Sequence, residues 1–273
     1  MLEVKIGAQP ILWKDTPFDQ VAREISDIGF DGIEAPVGAY RGKEDELRRV
    51  LEDTGLALAS TYTAGYYMDP ATRRDEIDAA VSIARMLPQF GCSVMVSAPH
   101  STRKDRKAYT LWEHRAYAEA LNEIGRRIAE FGVVQVFHNH AWTTHETRLE
   151  LDILLENTDP RYVKMGFDIG HLHLGWADPV EMCRLYGTRV AYMHFKDCRG
   201  RADLWDAIKN DEDCWVELGR GEVDLAGVLA ALERVNFKGW LTYEQDRTKK
   251  TARESATESL AHLRQLLKRV QAV

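Results

Sequence analysis

The chain has 273 residues, of which 45% are hydrophobic and 29% charged, with a formal net charge of -7 at pH 7. That balance describes an ordinary globular protein long enough for one barrel-sized domain. The acidic charge argues against a dedicated nucleic-acid or anionic-membrane surface, and no apolar run nears the roughly 20 residues that span a bilayer.

The N-terminus, Met1-Leu2-Glu3-Val4-Lys5-Ile6, carries no signal-peptide pattern. Cys92, Cys183, Cys198 and Cys214 stand far apart with no C-x-x-C spacing, which fits a reducing compartment. The expectation is a soluble, cytoplasmic protein. Val4 to Ala8 reads as the first strand, ending at Gln9-Pro10. Thr16-Pro17 then predicts a helix with threonine as N-cap and proline at the first helical position. Phe18, Val21, Ile25 and Ile28 recur at helical spacing, and Gly29 stops the helix. Phe30 to Ala35 is a second short strand, and a charged helix over about Lys43 to Thr54 ends at Gly55. Leu56 to Ser60 predicts a third strand, and Thr61 to Met68 a Tyr- and Gly-rich loop. A long helix over about Ala71 to Phe90 stops at Gly91.

Cys92 to Ala98 reads as strand four, followed by a polar loop from Pro99 to Lys104. Leu121, Ile124 and Ile128 mark a helix that ends at Gly132. Val133 to His138 is strand five, and Leu149, Ile153 and Leu154 belong to the next helix. Tyr162 to Asp168 is strand six. The loop after it holds His171, His173 and Trp176, and Asp178-Pro179 opens another helix. Val190 to Phe195 is strand seven, followed by an excursion over about Cys198 to Glu222 that carries Trp205 and Trp215. Leu225, Val228, Leu229, Leu232 and Val235 form an amphipathic helix. Gly239 to Glu244 is strand eight, and Leu260, Leu263, Leu267 and Val270 mark the closing helix.

Eight strand-then-helix units predict an α/β fold, a (β/α)8 TIM barrel, as a single domain over residues 1–273. A doubly wound open sheet is the runner-up, and the absence of a Gly-x-Gly-x-x-Gly turn after strand one counts against it.

Four strands end on acids or imidazoles. Strand side chains alternate with period two, so Asp168 and His194 point away from the most apolar face of their strands. Glu244 ends strand eight, and His138 and His140 share the inward parity of Val134 and Val136. Barrels of this kind place their active sites at the C-terminal strand ends. A mixed carboxylate and imidazole set suits one borderline divalent ion, Mn, Co, Mg or Zn.

Phe167-Asp168-Ile169-Gly170-His171, Met193-His194-Phe195-Lys196-Asp197, Gly219-Arg220-Gly221-Glu222-Val223-Asp224 and Tyr243-Glu244 together resemble the xylose-isomerase-like superfamily of sugar isomerases and epimerases, over essentially the whole length. The resemblance implies that Asp168, His194 and Glu244 are metal ligands and that His171 touches substrate. The family commonly has a glutamate at the end of strand five, where this chain has His138-Asn139-His140. That form, the His-Phe-Lys-Asp strand and the loop with Trp205-Asp206-Ala207-Ile208 are similar to the inosose dehydratases of the superfamily. Glu146 is a candidate replacement for the missing carboxylate, and the order of preference for the strand-five ligand is His138, Glu146, His140.

The implied activity is a metal-dependent sugar isomerase or epimerase working through α-proton abstraction and an enediolate. The alternative is an inosose dehydratase that eliminates water with the same site. Glu244 is the expected base, and His138, His140 or Glu146 the partner acid. Glu34, His100 and Lys196 are candidate substrate contacts, and Trp13, Tyr62, Tyr66 and Trp142 candidate wall residues for a sugar's C–H face. Lys196 has the alternative of pairing with Asp168 or Glu244. The partner is a small sugar or cyclitol, with no nucleic acid and no membrane; a homo-oligomer is compatible with the sequence. The rival readings are an apurinic-site endonuclease, which needs three zinc ions, and a non-catalytic sugar-binding barrel.

Overall fold

In a computed structural model, residues 2–100, 109–201 and 214–270 are described. The barrel strands are β1 (Glu3–Ala8), β2 (Gly32–Glu34), β3 (Ala57–Gly65), β4 (Val94–Pro99), β5 (Val134–Phe137), β6 (Val163–Asp168) and β7 (Val190–Phe195), closed by β10 (Lys238–Tyr243). All neighbours pair in parallel, in the order β1-β10-β7-β6-β5-β4-β3-β2. The helices are α1 (Phe18–Ile28), α2 (Glu44–Thr54), α3 (Arg73–Ala84), α4 (Leu111–Ala129), α5 (Arg148–Asn157), α6 (Ile169–Leu174), α7 (Pro179–Tyr186), α8 (Leu225–Arg234) and α9 (Ala252–Val270). The expected TIM barrel is the fold observed. Among the described residues no helix is long and apolar enough to cross a membrane.

Period-two alternation builds two unequal apolar layers. Phe137, Met165, Phe167, Met193, Phe195 and Tyr243 face outward into the large core shared with the helices. The inward residues Ala59, Val96, Val136 and Tyr192 form a small separate cluster that fills the barrel. Above it the inward positions turn polar. Thr242 Oγ1 donates to the Tyr192 hydroxyl at 2.6 Å, and the Tyr192 and Ser60 hydroxyls lie 2.9 Å apart. Ser60 also contacts Glu34 Oε2. The inside of the barrel is thus graded, apolar at the bottom and ionisable at the C-terminal end.

Local differences from the sequence expectations have identifiable causes. α1 begins at Phe18 after Pro17, without a side-chain cap from Thr16. Gly29 does close it, at φ 101°, donating to the carbonyls of Ile25 and Ser26. β3 runs on to Gly65 because pairing with β4 continues from Thr61 to Gly65, so the expected loop starts later. The long helix before Gly91 is split into α3 and a 3-10 turn, Leu87–Phe90, whose Pro88 supplies no amide hydrogen for an α-helical bond. The residues after Asp168 form α6 rather than a loop, with Asp168 as its N-cap. The segment Trp205-Asp206-Ala207-Ile208 and the polar stretch Ser101 to Lys104 lie outside the described residues.

After β7 the chain makes a short antiparallel pair, β8 (Asp197–Cys198) with β9 (Trp215–Val216). Asp197 accepts the main-chain N–H groups of Cys198, Gly219, Gly221 and Val223 at 2.9, 2.9, 2.9 and 3.2 Å. A Cβ on Gly221 would lie 2.1 Å from Asp197 Oδ1, so only glycine lets the carboxylate approach. This clasp ties residues 219–223 to the end of β7.

Candidate metal centre

His138, Asp168, His194 and Glu244 converge at the C-terminal mouth, each offering a ligand atom within 4.8 Å of the others. The sheet register makes this meeting: Asp168 lies opposite His194, and His194 opposite Thr242. All four are at least 95% buried, with Glu244 the most exposed at 5%. Among the described residues, His138 Nε2, Asp168 Oδ2, His194 Nε2 and Glu244 Oε2 have no hydrogen-bond partner. A buried polar atom left in that state costs about 1–3 kcal/mol. Four at one place describe a set short of its central partner. Two imidazoles with two carboxylates are a donor set for a borderline divalent cation, so these residues fit a metal ion.

The electrostatics agree. Burial opposes charge on His194, but Glu244, Glu34 and Asp168 outweigh it and lift the imidazole to about 9. Burial raises the Asp168 carboxyl to about 7 against the opposing pull of Lys196. Glu244 is also penalised by burial, yet Lys196, His194 and His138 hold it well below the usual carboxylate range. His138 stays far below the ordinary imidazole value, through burial and the neighbouring His194. Its Nδ1 lies 2.8 Å from Nδ1 of His194, close enough for one ring to donate to the other. A proton on His194 offsets the carboxylates in the way a cation would.

Lys196 is fully buried beside the cluster. Its Nζ donates to Glu244 Oε1 at 2.8 Å and Asp246 Oδ1 at 2.7 Å, stands 3.7 Å from Asp168 Oδ2, and sits 4.4 Å over the Trp215 ring. The pairing with Glu244 weighed from sequence is therefore present. Burial works against the ammonium, but Asp246, Glu244 and Asp168 keep it charged well above the ordinary range. Its third contact is His171 Nε2 at 3.1 Å. The other nitrogen of that ring accepts from the Ala141 N–H at 3.2 Å. A neutral imidazole has one hydrogen and one lone pair, so it cannot accept at both nitrogens. The third Lys196 hydrogen is left for a better acceptor.

Other candidates fall into place unequally. Glu34 is in the site: its Oε2 is 3.6 Å from His194 Nε2, and Oε1 has no hydrogen-bond partner. His140 stays outside the four-residue group, stacked on His171 with centroids 3.8 Å apart. Its Nδ1 donates to the Ala141 carbonyl at 2.7 Å, which leaves Nε2 as its lone-pair nitrogen. Glu146 is buried but is not in the group; its N–H donates to Glu150 at the start of α5. His100 is exposed at the end of β4. The Trp13 indole N–H donates to Glu24 on α1. Tyr66 packs on the outer core, whereas the Tyr62 ring lies edge-on to His138 at 5.6 Å. Trp142 and Trp215 meet His171 edge-on at 6.2 and 4.9 Å.

Four neighbours of the cluster were not singled out from sequence: Asn139, Asp246, Trp215 and Tyr192. Asp246 continues the inward parity of Thr242 and Glu244, a signal present in the chain. Trp215 is brought in by the β8–β9 pairing, which the Asp197 clasp braces.

The xylose isomerase-like TIM barrel family model matches residues 22–266. The rhizopine catabolism protein MocC of Rhizobium meliloti is 30% identical, over 96% of this chain and 87% of that protein. An inosose dehydratase of Geobacillus kaustophilus is 27% identical, over 89% of this chain and 87% of that enzyme. Among solved structures, a xylose isomerase-like TIM barrel protein from Mycobacterium smegmatis, in complex with magnesium, superposes with a TM-score of 0.80 at 17% identity, covering 99% of both chains.

Proposed function

The chain belongs to the xylose isomerase-like TIM-barrel family, and from that premise we propose that it is a divalent-metal-dependent lyase of cyclic keto-polyols. It takes the proton from the carbon beside a ketone and releases the β-hydroxyl as water. His138, Asp168, His194 and Glu244 hold the ion. When bound, a divalent cation supplies Lewis acidity, polarising the ketone and lowering the energy of the charge that develops as the C–H bond breaks.

The observation that carries this reading is the imidazole of His138 at the end of β5. Epimerisation removes a proton on one face and returns one on the other, so it needs a proton-carrying group on each side. His138 Nδ1 is paired with His194 at 2.8 Å and its Nε2 belongs to the set that would hold the ion, so neither nitrogen is free to carry a proton to the second face. Elimination asks for less: one base, and one acid beside the leaving hydroxyl. The inosose dehydratases among the relatives support the same choice.

Glu244 is the base. Oε2 belongs to the set that would hold the ion, so Oε1 takes the proton: Lys196 donates to one of its two lone pairs at 2.8 Å, which fixes the carboxylate and leaves the other free. Lys196 directs its third hydrogen to a substrate oxygen, which relieves the conflict at His171. His140 is the acid. Its Nδ1 is committed to the Ala141 carbonyl, so Nε2 is the atom that exchanges protons.

The test is NMR of a keto-inositol incubated with the manganese-loaded protein in deuterated water, with the metal removed before spectra are taken. Deuterium at the α-carbon together with a dehydrated product supports the proposal. Exchange with an epimer or isomer as product replaces the second half-reaction and leaves the first. No exchange in any ketose or inosose removes the reading. Mass spectrometry of the purified protein separates the rivals: about one ion per chain for this enzyme, about three for a nuclease, none for a binding barrel.

A further inference from the structure

Trp142 combines two unusual properties. Its backbone is left-handed, with φ 63°, a conformation that a bulky L-residue adopts at a cost of roughly 1–3 kcal/mol. Its indole is 7% exposed, and Nε1 has no hydrogen-bond partner among the described residues. Each property is unfavourable to folding. Buried indole N–H groups normally find an acceptor, so one held without a partner calls for a ligand. The surroundings show where that ligand sits. The Trp142 ring meets His171 at 6.2 Å and Trp215 at 6.4 Å, both edge-on. His171 in turn touches Lys196, the lysine that fixes Glu244. The tryptophan therefore borders the mouth beside the four-residue cluster.

We propose that Trp142 is a specificity-determining residue. Its indole N–H donates to one hydroxyl of a ring-form polyol, remote from the reacting ketone. Trp142 and Trp215 together enclose the ring's C–H edge. This rests on the function proposed above and deepens it: among cyclic keto-polyols, the chain selects by the orientation of one hydroxyl remote from the ketone. A rigid ring carries its hydroxyls at fixed angles, so a donor locked by backbone strain selects one of them. An extended chain reaches the same metal-centred chemistry but does not present a fixed oxygen to a fixed N–H. Trp142 acts by recognition and takes no part in proton transfer.

Trp142→Phe is the informative variant. Phenylalanine keeps an aromatic ring and the same backbone strain, and removes only the donor. With keto-inositol as probe, KM is expected to rise about 5–10-fold with kcat little changed, the signature of lost uniform binding. Bound manganese is expected to be unchanged. In a series of singly deoxygenated inososes, the wild type should discriminate against one member that the variant binds as well as it binds the parent inosose. The indole N–H resonance that vanishes in Trp142→Phe should also shift in the wild type on saturation with keto-inositol. Unchanged KM in Trp142→Phe, or a fixed Trp142 resonance while keto-inositol is turned over, overturns this inference alone. If keto-inositol moves none of the seven tryptophan resonances and is not turned over, the proposed function falls and this inference with it.

Discussion

The side-chain amide of Asn139 pairs with the main chain of Asp168, accepting its N–H at 3.0 Å and donating to its carbonyl at 3.1 Å. The asparagine behaves as one more residue of strand, carrying the β5–β6 ladder past its last backbone bond. It thereby fixes the peptide from which Asp168 reaches the cluster. Asn139→Ala is expected to lower manganese affinity about 10–100-fold, the usual effect of losing an outer support of a metal site. Titration of manganese into the metal-free variant measures this, and unchanged affinity would show the pairing to be incidental.

Asp168→Asn and His194→Ala should each abolish retention of metal through gel filtration while leaving the far-ultraviolet circular dichroism of a barrel. Both side chains have an atom without a hydrogen-bond partner, so the fold does not depend on their full ionic strength. Full metal occupancy in both variants would refute the site.

Burial holds the Asp168 carboxyl at about 7, above its ordinary 3.8, and nearby carboxylates hold His194 at about 9, above its ordinary 6.5. Both groups grip a proton more tightly in the folded state than in the unfolded chain. Their contribution to the metal-free fold is complete below the unfolded values and is lost as pH rises through the folded ones. Metal binding displaces these protons, so its stabilisation grows over the same range. The gap in melting temperature between manganese-loaded and metal-free protein should widen from pH 5 to pH 9. Calorimetry at three pH values checks it, and a constant gap would contradict the assignment.

Lys196→Met would leave Glu244, Asp246 and Asp168 facing one another without their cation. Breaking a buried pair on one side costs about 3–5 kcal/mol. The metal-free variant should melt well below the wild type, and saturating manganese should restore more of that loss than it adds to the wild type. Equal melting temperatures for the two metal-free proteins would mean that the lysine is not balancing those acids.

The barrel was legible because its signals are local. Gly29, Gly55 and Gly91 stop helices in the left-handed conformation, and period-two alternation puts Phe167 and Phe195 on one face with Asp168 and His194 on the other. Glu244 follows from the same parity. The hidden parts depend on contacts across the sequence. Lys196 shares its parity with His194, yet its three acids come from β6 and the end of β10. Trp142 gave an aromatic near the mouth, but nothing in its neighbours fixes φ at 63°. His138 and His140 have the same parity, but β5 ends at Phe137, so strand alternation no longer places either of them.

The clasp at Asp197 gathers four amide hydrogens and so ties β9 and Trp215 to the end of β7 without any barrel strand between them. One wall of the mouth is therefore held by a two-stranded ribbon and one carboxylate, outside the hydrogen-bonded ladder of the staves that position the acids and imidazoles. Mutations at Trp215 can reshape what enters while the reacting groups keep their spacing. Tailoring this protein to a new guest molecule is best begun there.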